Sequence, residues 1–177
     1  MKHLKNYWLI VGVLFSLMVV ISSCNEDDDD NNNQPDNEVR FDNIALTGEA
    51  EAPTPVTSDG SGTLNATYNM ETKVISYTVS WTLGNESDQT IGMHFHGPAS
   101  VTESADVIIG ITLPSDNYTG NVSGETRPLT QGEEDDLLDG LWYLNIHSTT
   151  NPAGELRGQL GSTNGNSNNS GGSPTTY

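Results

Sequence analysis

The sequence predicts an all-β fold, an antiparallel β-sandwich or barrel that carries one short helix. Most of the middle of the chain alternates between apolar and polar residues with a period of two, as half-buried strands do. Glycine and proline stand at nearly every junction between these stretches. Only one stretch has the signals of a helix, and many short strands with a single helix favour a sandwich or a barrel.

The predicted strands follow one another along the chain. NEVRFDNIALTGEAE opens the domain, and GTLNATYNM pairs with KVISYTVSWT through the turn MET, which makes a hairpin. DVIIGITL lies in the middle, and GLWYLNIHS and GELRGQL close the domain around the turn TTNPAG. KVISYTVSWT is the clearest strand, because its two faces alternate strictly. Its apolar face consists of Ile75, Tyr77, Val79 and Trp81.

One helix is predicted in LTQGEEDDLLDG. Thr130 is followed three residues later by Glu133, which is the pattern of a capping box. The acidic residues after the cap suit the positive end of the helix dipole, and Gly140 is placed to end the helix. No period of 20–50 residues repeats along the chain, so a single β domain is favoured over a repeat architecture.

The N-terminal segment MKHLKNYWLIVGVLFSLMVVISSC has the order of a secretory signal. Lys2 and Lys5 form a positive region, an apolar run follows, and two serines precede the chain's one cysteine. The apolar run is shorter than the roughly 20 residues that a transmembrane helix needs. VISSC resembles the lipobox of bacterial lipoproteins, in which the cysteine becomes the palmitate-bearing first residue. We therefore predict a signal peptide over residues 1–23 and a lipidated Cys24.

The segments that flank the predicted domain are polar. Residues 24–38 have no core-forming run and are predicted to be a disordered acidic tether. Residues 161–177 are rich in Gly, Ser and Asn and are predicted to be a disordered tail. One domain is therefore predicted over residues 39–160. Acidic residues behind a lipidated cysteine resemble the surface-export signal of Bacteroidota lipoproteins, so we predict an outer-membrane lipoprotein that faces either the periplasm or the cell surface.

The charge of the chain limits the partners it can have. Without residues 1–23, 4 basic residues remain against 24 acidic ones, a net charge of −20. Nucleic acids and anionic membrane surfaces are bound through basic patches, so neither is expected as a charge-driven partner. The predicted partners are the membrane, through the lipid anchor, and a protein or small ligand that the sequence does not name.

Three histidines form the candidate binding site. His94 and His96 lie two residues apart in GMHFHGPAS, and His147 lies in YLNIHSTTNPAG. On a strand, His94 and His96 share one face, and His147 shares the outer face of its own strand with Asn145 and Tyr143. If the two strands are neighbours, the three imidazoles are a ligand set for copper or zinc. The alternative is structural, because histidines beside GP and NP turns often hydrogen-bond the loop backbone.

Two further candidate residues lie in the stretch GELRGQL, which follows the His147 stretch in the sequence. Glu155 and Arg157 lie two apart, and an ion pair on one strand face is the favoured interpretation. The alternative makes Glu155 a fourth metal ligand or a hydrogen-bond acceptor for a ligand. The sequence has no G-x-S-x-G elbow and no phosphate-binding glycine loop followed by lysine. A binding or structural function is therefore favoured over an enzymatic one.

Three blocks of the predicted domain resemble the chordin (CHRD) family. LTGEAEAPTPVTSDGSG resembles the family's opening L-S-G-x-x-E-x-P-P-V, and GMHFHGPAS resembles A-H-I-H-x-G-P-A. LWYLNIHSTTNPAGELRGQL resembles Y-V-N-V-H-T-x-x-x-P-x-G-E-I-R-G-Q and is the most specific of the three. The blocks fall in the family's order. Gly92 and Met93 replace the alanine that usually precedes the first histidine.

The resemblance implies an extracytoplasmic β-sandwich of the immunoglobulin or superoxide-dismutase type. In animals, chordin carries such domains and antagonises growth factors of the bone morphogenetic type, a function that is not expected to transfer to a bacterial lipoprotein. The His-x-His strand of copper–zinc superoxide dismutases is similar, but only at the level of fold. We expect a lipid-anchored CHRD module that binds an unknown ligand or serves a structural role. The alternative is a copper or zinc protein with redox activity.

Overall fold

The computed structural model describes residues 37–161, which form eight strands and one helix. The strands are β1 (Glu38–Thr47), β2 (Ser61–Asn69), β3 (Val74–Thr82), β4 (Thr90–His96), β5 (Val107–Gly110), β6 (Thr119–Glu125), β7 (Tyr143–Ser148) and β8 (Leu156–Gln159). The helix, α1, spans Gln131–Leu138. The predicted signal peptide, Cys24 and nearly all of the tether and tail lie outside the described residues. Within residues 37–161, no helix is long and apolar enough to cross a membrane.

All the described strands belong to one antiparallel sheet in the order β5-β4-β7-β8-β1-β2-β3-β6. The sheet curls, so that apolar side chains from its two halves meet in one core. The ring of Tyr77 on β3 lies 5.6 Å from the ring of Phe95 on β4. The most deeply buried apolar side chains include Phe41, Leu64, Phe95, Trp142 and Leu144. The prediction of an antiparallel all-β fold with one short helix is therefore confirmed.

The local predictions for the hairpin and the helix are also confirmed. β2 and β3 pair in register from Ser61–Thr82 to Asn69–Val74. The hydroxyl of Thr130 accepts the backbone N–H of Glu133, and the Glu133 carboxylate accepts the backbone N–H of Thr130. Gly140 has a φ of +74°, a conformation that suits glycine after a helix end.

β6 is a strand that the sequence pattern does not indicate. It pairs with β3 along its whole length, from Thr82–Thr119 to Ser76–Glu125. A Cβ atom on Gly120 would lie 2.7 Å from ring carbons of Trp81, and one on Gly124 would lie 2.6 Å from the hydroxyl of Tyr77. The two glycines therefore make room for aromatic rings of β3 that lean over β6.

The short strand β8 lies in the middle of the sheet, between β7 and β1. It pairs with β7 through four residue pairs and with β1 through Thr47 and Arg157. A Cβ atom on Gly158 would lie 2.6 Å from Leu46 and 2.7 Å from the carbonyl of Ala45. Because glycine stands there, β8 packs closely against β1 although their ladder is short.

Candidate metal centre

The three histidines lie on two neighbouring strands, β4 and β7. In their register, Gly92 lies opposite His147, and His94 lies opposite Asn145. Met93 and Phe95 alternate with the histidines of β4 and are fully buried in the core. The histidines therefore project from the other face of the sheet, as the strand period predicts. Ile91, near the start of β4, is exposed, and a register irregularity lies between Thr90 and Gly92.

The imidazole rings converge closely. Nδ1 of His94 lies 3.1 Å from Nε2 of His147. The ring centre of His94 lies 5.6 Å from that of His96, and the ring centre of His96 lies 6.0 Å from that of His147. One nitrogen from each ring falls within a group whose members are all within 4.8 Å of one another. In residues 37–161, this is the one group of His, Cys, Asp or Glu with such spacing.

Glycine at position 92 leaves room for this arrangement. A Cβ atom there would lie 2.9 Å from Cε1 of His94 and 3.6 Å from Cδ2 of His147. Any larger residue would press on the His94 ring. Gly92 therefore allows the His94 ring to pack as it does.

Hydrogen bonds to backbone carbonyls determine which ring nitrogens of His96 and His147 carry a proton and which carry a lone pair. Nδ1 of His96 lies 3.0 Å from the carbonyl oxygen of Ala105, and Nδ1 of His147 lies 3.1 Å from that of Pro152. A carbonyl oxygen only accepts, so both Nδ1 atoms must carry the proton. Nε2 of both rings then carries the lone pair. Nε2 of His147 lies 3.1 Å from Nδ1 of His94 and accepts a hydrogen bond from it, whereas Nε2 of His96 is buried without any hydrogen-bond partner.

The surroundings keep the imidazoles neutral. Burial lowers the pKa of His94, and the neighbouring His147 and His96 lower it further. Burial also lowers the pKa values of His96 and His147, although their hydrogen bonds to backbone carbonyls act in the opposite direction. The neutral imidazole is the form that binds a metal ion, so the three rings are ready to coordinate at neutral pH.

The geometry fits a small transition-metal ion. Zinc–imidazole bonds are about 2.0–2.1 Å long, so two ligand nitrogens 3.1 Å apart subtend an angle of about 98° at a shared ion. That angle lies between square-planar and tetrahedral values. The hydrogen bonds from His96 and His147 to backbone carbonyls are of the kind that orients metal-ligating histidines in proteins. The three imidazoles would thus suit a copper or zinc ion.

An aromatic stack supports the buried histidine. The ring of Tyr143 lies 4.9 Å from that of His96 and is nearly parallel to it, at 8°. The guanidinium carbon of Arg157 lies 3.6 Å from the centre of the same tyrosine ring. Because β7 lies between β4 and β8, the histidine and the arginine approach Tyr143 from opposite sides. Three adjacent strands thus contribute one member each to the stack.

The expected ion pair between Glu155 and Arg157 is not among the salt bridges of residues 37–161. One carboxylate oxygen of Glu155 accepts hydrogen bonds from the hydroxyl of Ser58 and the backbone N–H of Gly84. Arg157 instead donates to the backbone carbonyls of a loop and to Gln159. The prediction fails because each group has nearer partners in a loop. Glu155 also does not belong to the histidine group.

A buried carboxyl lies next to the site and was not anticipated. Glu51 accepts a hydrogen bond from the side-chain amide of Asn145, which lies opposite His94 on β7. Its second oxygen and the amide oxygen of Asn145 are both buried and unpaired. Burial raises the pKa of Glu51 to about 7. Glu51 stands 43 residues before the first of these histidines, and no local pattern in the sequence connects it with them.

Comparison with known proteins agrees with this architecture. The model of the CHRD domain matches residues 43–160, which is about two thirds of the chain and includes all three histidines. Neither the comparison with curated proteins nor that with solved structures gives a significant match. A domain of this kind is in general a binding or structural module. The chain belongs to the CHRD domain family.

Proposed function

We propose that this protein is a lipid-anchored extracytoplasmic binding module whose ligand is a copper or zinc ion. His94, His96 and His147 supply the ligand nitrogens. The observation that carries the proposal is their convergence within 4.8 Å, with two of the three rings held by backbone carbonyls in the tautomer whose Nε2 carries the lone pair. Copper and zinc are the ions that suit such imidazole sets.

The unpaired nitrogen of His96 favours a bound ion over a purely structural role. A buried acceptor without a partner costs about 1–3 kcal/mol, and Nε2 of His96 is such an atom. An ion at the centre of the cluster removes this cost. A structural role alone accounts for the two hydrogen bonds to loop carbonyls, but it leaves the inward-facing nitrogen without an explanation.

The test is a comparative titration. Cu²⁺ or Zn²⁺ is added in moderate salt to the chain produced without an affinity histidine tag, and to its His94→Ala and His147→Ala variants. Both variants should lose at least about tenfold in affinity, as even losses of outer-shell partners cost 10–100-fold. Affinity for the wild type should fall as the pH drops below about 6.5, because protons compete for imidazole.

The control for this titration is Glu86→Gln, which removes one exposed acid that does not belong to the histidine group. The negative charge of the chain attracts cations to any part of its surface, so weak binding that all four proteins share has no bearing on the site. Indistinguishable isotherms for wild type and both histidine variants would refute the proposal. Unfolding of both variants, without metal binding by the wild type, would establish the structural role instead.

The anchor is proposed from residues at the N-terminus. Lys2, Lys5, the apolar run and the serine pair before Cys24 support lipidation of that cysteine. The lipidated cysteine with an acidic run behind it supports an outer-membrane lipoprotein that faces either the periplasm or the cell surface. In a bacterial host, Cys24→Ala should abolish incorporation of labelled fatty acid and block cleavage before residue 24. A Cys24→Ala protein that is labelled as strongly as wild type would contradict the lipoprotein assignment.

A further inference from the structure

A buried positive charge lies behind the histidine cluster. The side chain of Arg157 is 1% exposed. Its guanidinium donates to the carbonyl oxygens of Glu103 and Ser100 and to the side-chain amide oxygen of Gln159, all of which are neutral acceptors. Arginine stays protonated in proteins. Its charge is therefore hydrogen-bonded but not paired with a carboxylate.

This charge is close enough to act on an ion in the cluster. Tyr143 separates Arg157 from His96, and the two contacts place the guanidinium within about 9 Å of the histidine ring. The intervening medium is a buried aromatic ring rather than water, so solvent screens the interaction little.

The acids around the stack compensate this charge only in part. Glu51 is the carboxyl that acts on Arg157, and its pKa of about 7 leaves it largely protonated in mildly acidic solution. Asp106 acts on His96 from an exposed position, where water and salt weaken its effect. No carboxylate belongs to the ligand group itself. The three candidate ligands are thus neutral, and Arg157 is a buried positive charge behind them.

We infer that Arg157 biases the three-histidine site toward a monovalent ion, Cu⁺, over Cu²⁺ and Zn²⁺. The inference rests on the proposed metal site and names its preferred occupant. A unit positive charge repels a divalent ion twice as strongly as a monovalent one. At about 9 Å and an effective dielectric constant of about 20, the difference corresponds to roughly one order of magnitude in relative affinity.

The ligand set suits the same ion. Cu⁺ has a filled d shell, as Zn²⁺ does, but its single charge is satisfied by three neutral donors. Divalent ions gain more from an anionic ligand, and the cluster offers none. Glu155, the acidic residue of the GELRGQL block, instead accepts hydrogen bonds from the hydroxyl of Ser58 and the backbone N–H of Gly84.

The experiment measures the ratio of Cu⁺ affinity to Cu²⁺ affinity by competition with chelators, with oxygen excluded for Cu⁺. Wild type, Arg157→Gln and Arg157→Lys are compared at one pH. Arg157→Gln should lower the ratio about tenfold, which is a drop of about 59 mV in the one-electron potential of bound copper. Arg157→Lys keeps the charge and should preserve most of the ratio. Arg127→Gln is the control, because Arg127 is exposed and paired with Glu133.

The outcomes separate this inference from the proposed function. Absence of histidine-dependent copper binding in wild type refutes both. If copper binding depends on the histidines but Arg157→Gln leaves the ratio of Cu⁺ to Cu²⁺ affinity unchanged, the inference alone is refuted. An equal loss of affinity for both ions leaves that ratio unchanged too, and it would show that the arginine has only a structural role. If Arg157→Gln does not fold, wild type is compared with copper in excess imidazole at the same pH. The inference is then refuted if the ratio of Cu⁺ to Cu²⁺ affinity is no higher for the protein than for imidazole.

Discussion

At the scale of single residues, two kinds of buried ionisable group act on stability in opposite directions as the pH changes. The three histidines have lowered pKa values, so the unfolded chain binds protons more readily and stability is lost as the pH falls below about 6.5. Glu51 has a pKa raised from 4.5 to about 7, so the folded chain binds its proton more readily. Its contribution is fully present below about pH 4.5 and is lost as the pH rises through about 7.

The variant Glu51→Gln isolates this second effect. It keeps an amide in place of the carboxyl but cannot ionise, so it avoids the cost of a buried carboxylate. Relative to wild type, its free energy of unfolding should rise by about 2–3 kcal/mol between pH 5 and pH 8. Urea denaturation at the two pH values measures this. Glu86→Gln, at an exposed position, should show no such change, and a constant difference between Glu51→Gln and wild type would contradict the raised pKa.

The residues of the site differ in how far the sequence could predict them. The strand period placed His94 and His96 on one face and put His147 on a face with Tyr143 and Asn145, and the structure has these faces. The period cannot reveal that β4 and β7 are neighbours, because pairing is a long-range property. Nor can it reveal the carbonyls that fix the tautomers, since they belong to loops. Glu51 is brought to Asn145 by the loop after β1, which leaves no periodic trace.

At the scale of elements, β6 shows why the glycine content of a segment can mislead the prediction of strands. TGNVSGE contains two glycines, which weaken a strand prediction. In the sheet these glycines face Trp81 and Tyr77, whose rings occupy the space that side chains would fill. The helix is the opposite case, because its cap is local and Thr130 with Glu133 is sufficient to predict it. The helix, whose signals are local in the sequence, was predicted. The strand β6, which depends on its pairing with β3, was missed.

Two glycine substitutions test this reading of β6. Gly120→Ala places a Cβ atom 2.7 Å from ring carbons of Trp81, a buried side chain that cannot move freely. Such overpacking costs typically about 1–3 kcal/mol of unfolding free energy. Gly132→Ala in α1 meets nothing within 4 Å and should be neutral or stabilise by up to about 1 kcal/mol. Thermal denaturation of both variants checks the contrast, and equal melting temperatures would count against it.

At the scale of the whole molecule, we expect the proposed domain to carry the stability of the chain. Residues 39–160 were predicted as the domain, and the structure adds contacts just before them. The backbone N–H of Met70 donates to the carbonyl of Asn37, and Glu38 pairs with Asn69 at the start of β1. The core side chains named above all lie within the predicted range. We therefore expect an independently stable domain to include residues 37 and 38.

A chain of residues 37–161 should melt within a few degrees of the chain that begins at Cys24. The removed residues, 24–36 and 162–177, contain no run of apolar side chains, and segments that bury nothing contribute well under about 1 kcal/mol. Differential scanning calorimetry of the two proteins under one condition makes the comparison. A loss of ten degrees or more on trimming would mean that one of the removed segments packs against the domain.

The central position of β8 has a consequence for the order in which the protein can fold. The last strand of the domain to be synthesised is the one that joins β7 to β1. Until Leu156–Gln159 are available, the strands made earlier form two groups with unpaired edges between them. Closure depends on contacts between the two ends of the domain, so the loop entropy is large and folding is expected to be slow. A chain truncated before Leu156 would keep both edges open, and open edges recruit other chains into aggregates.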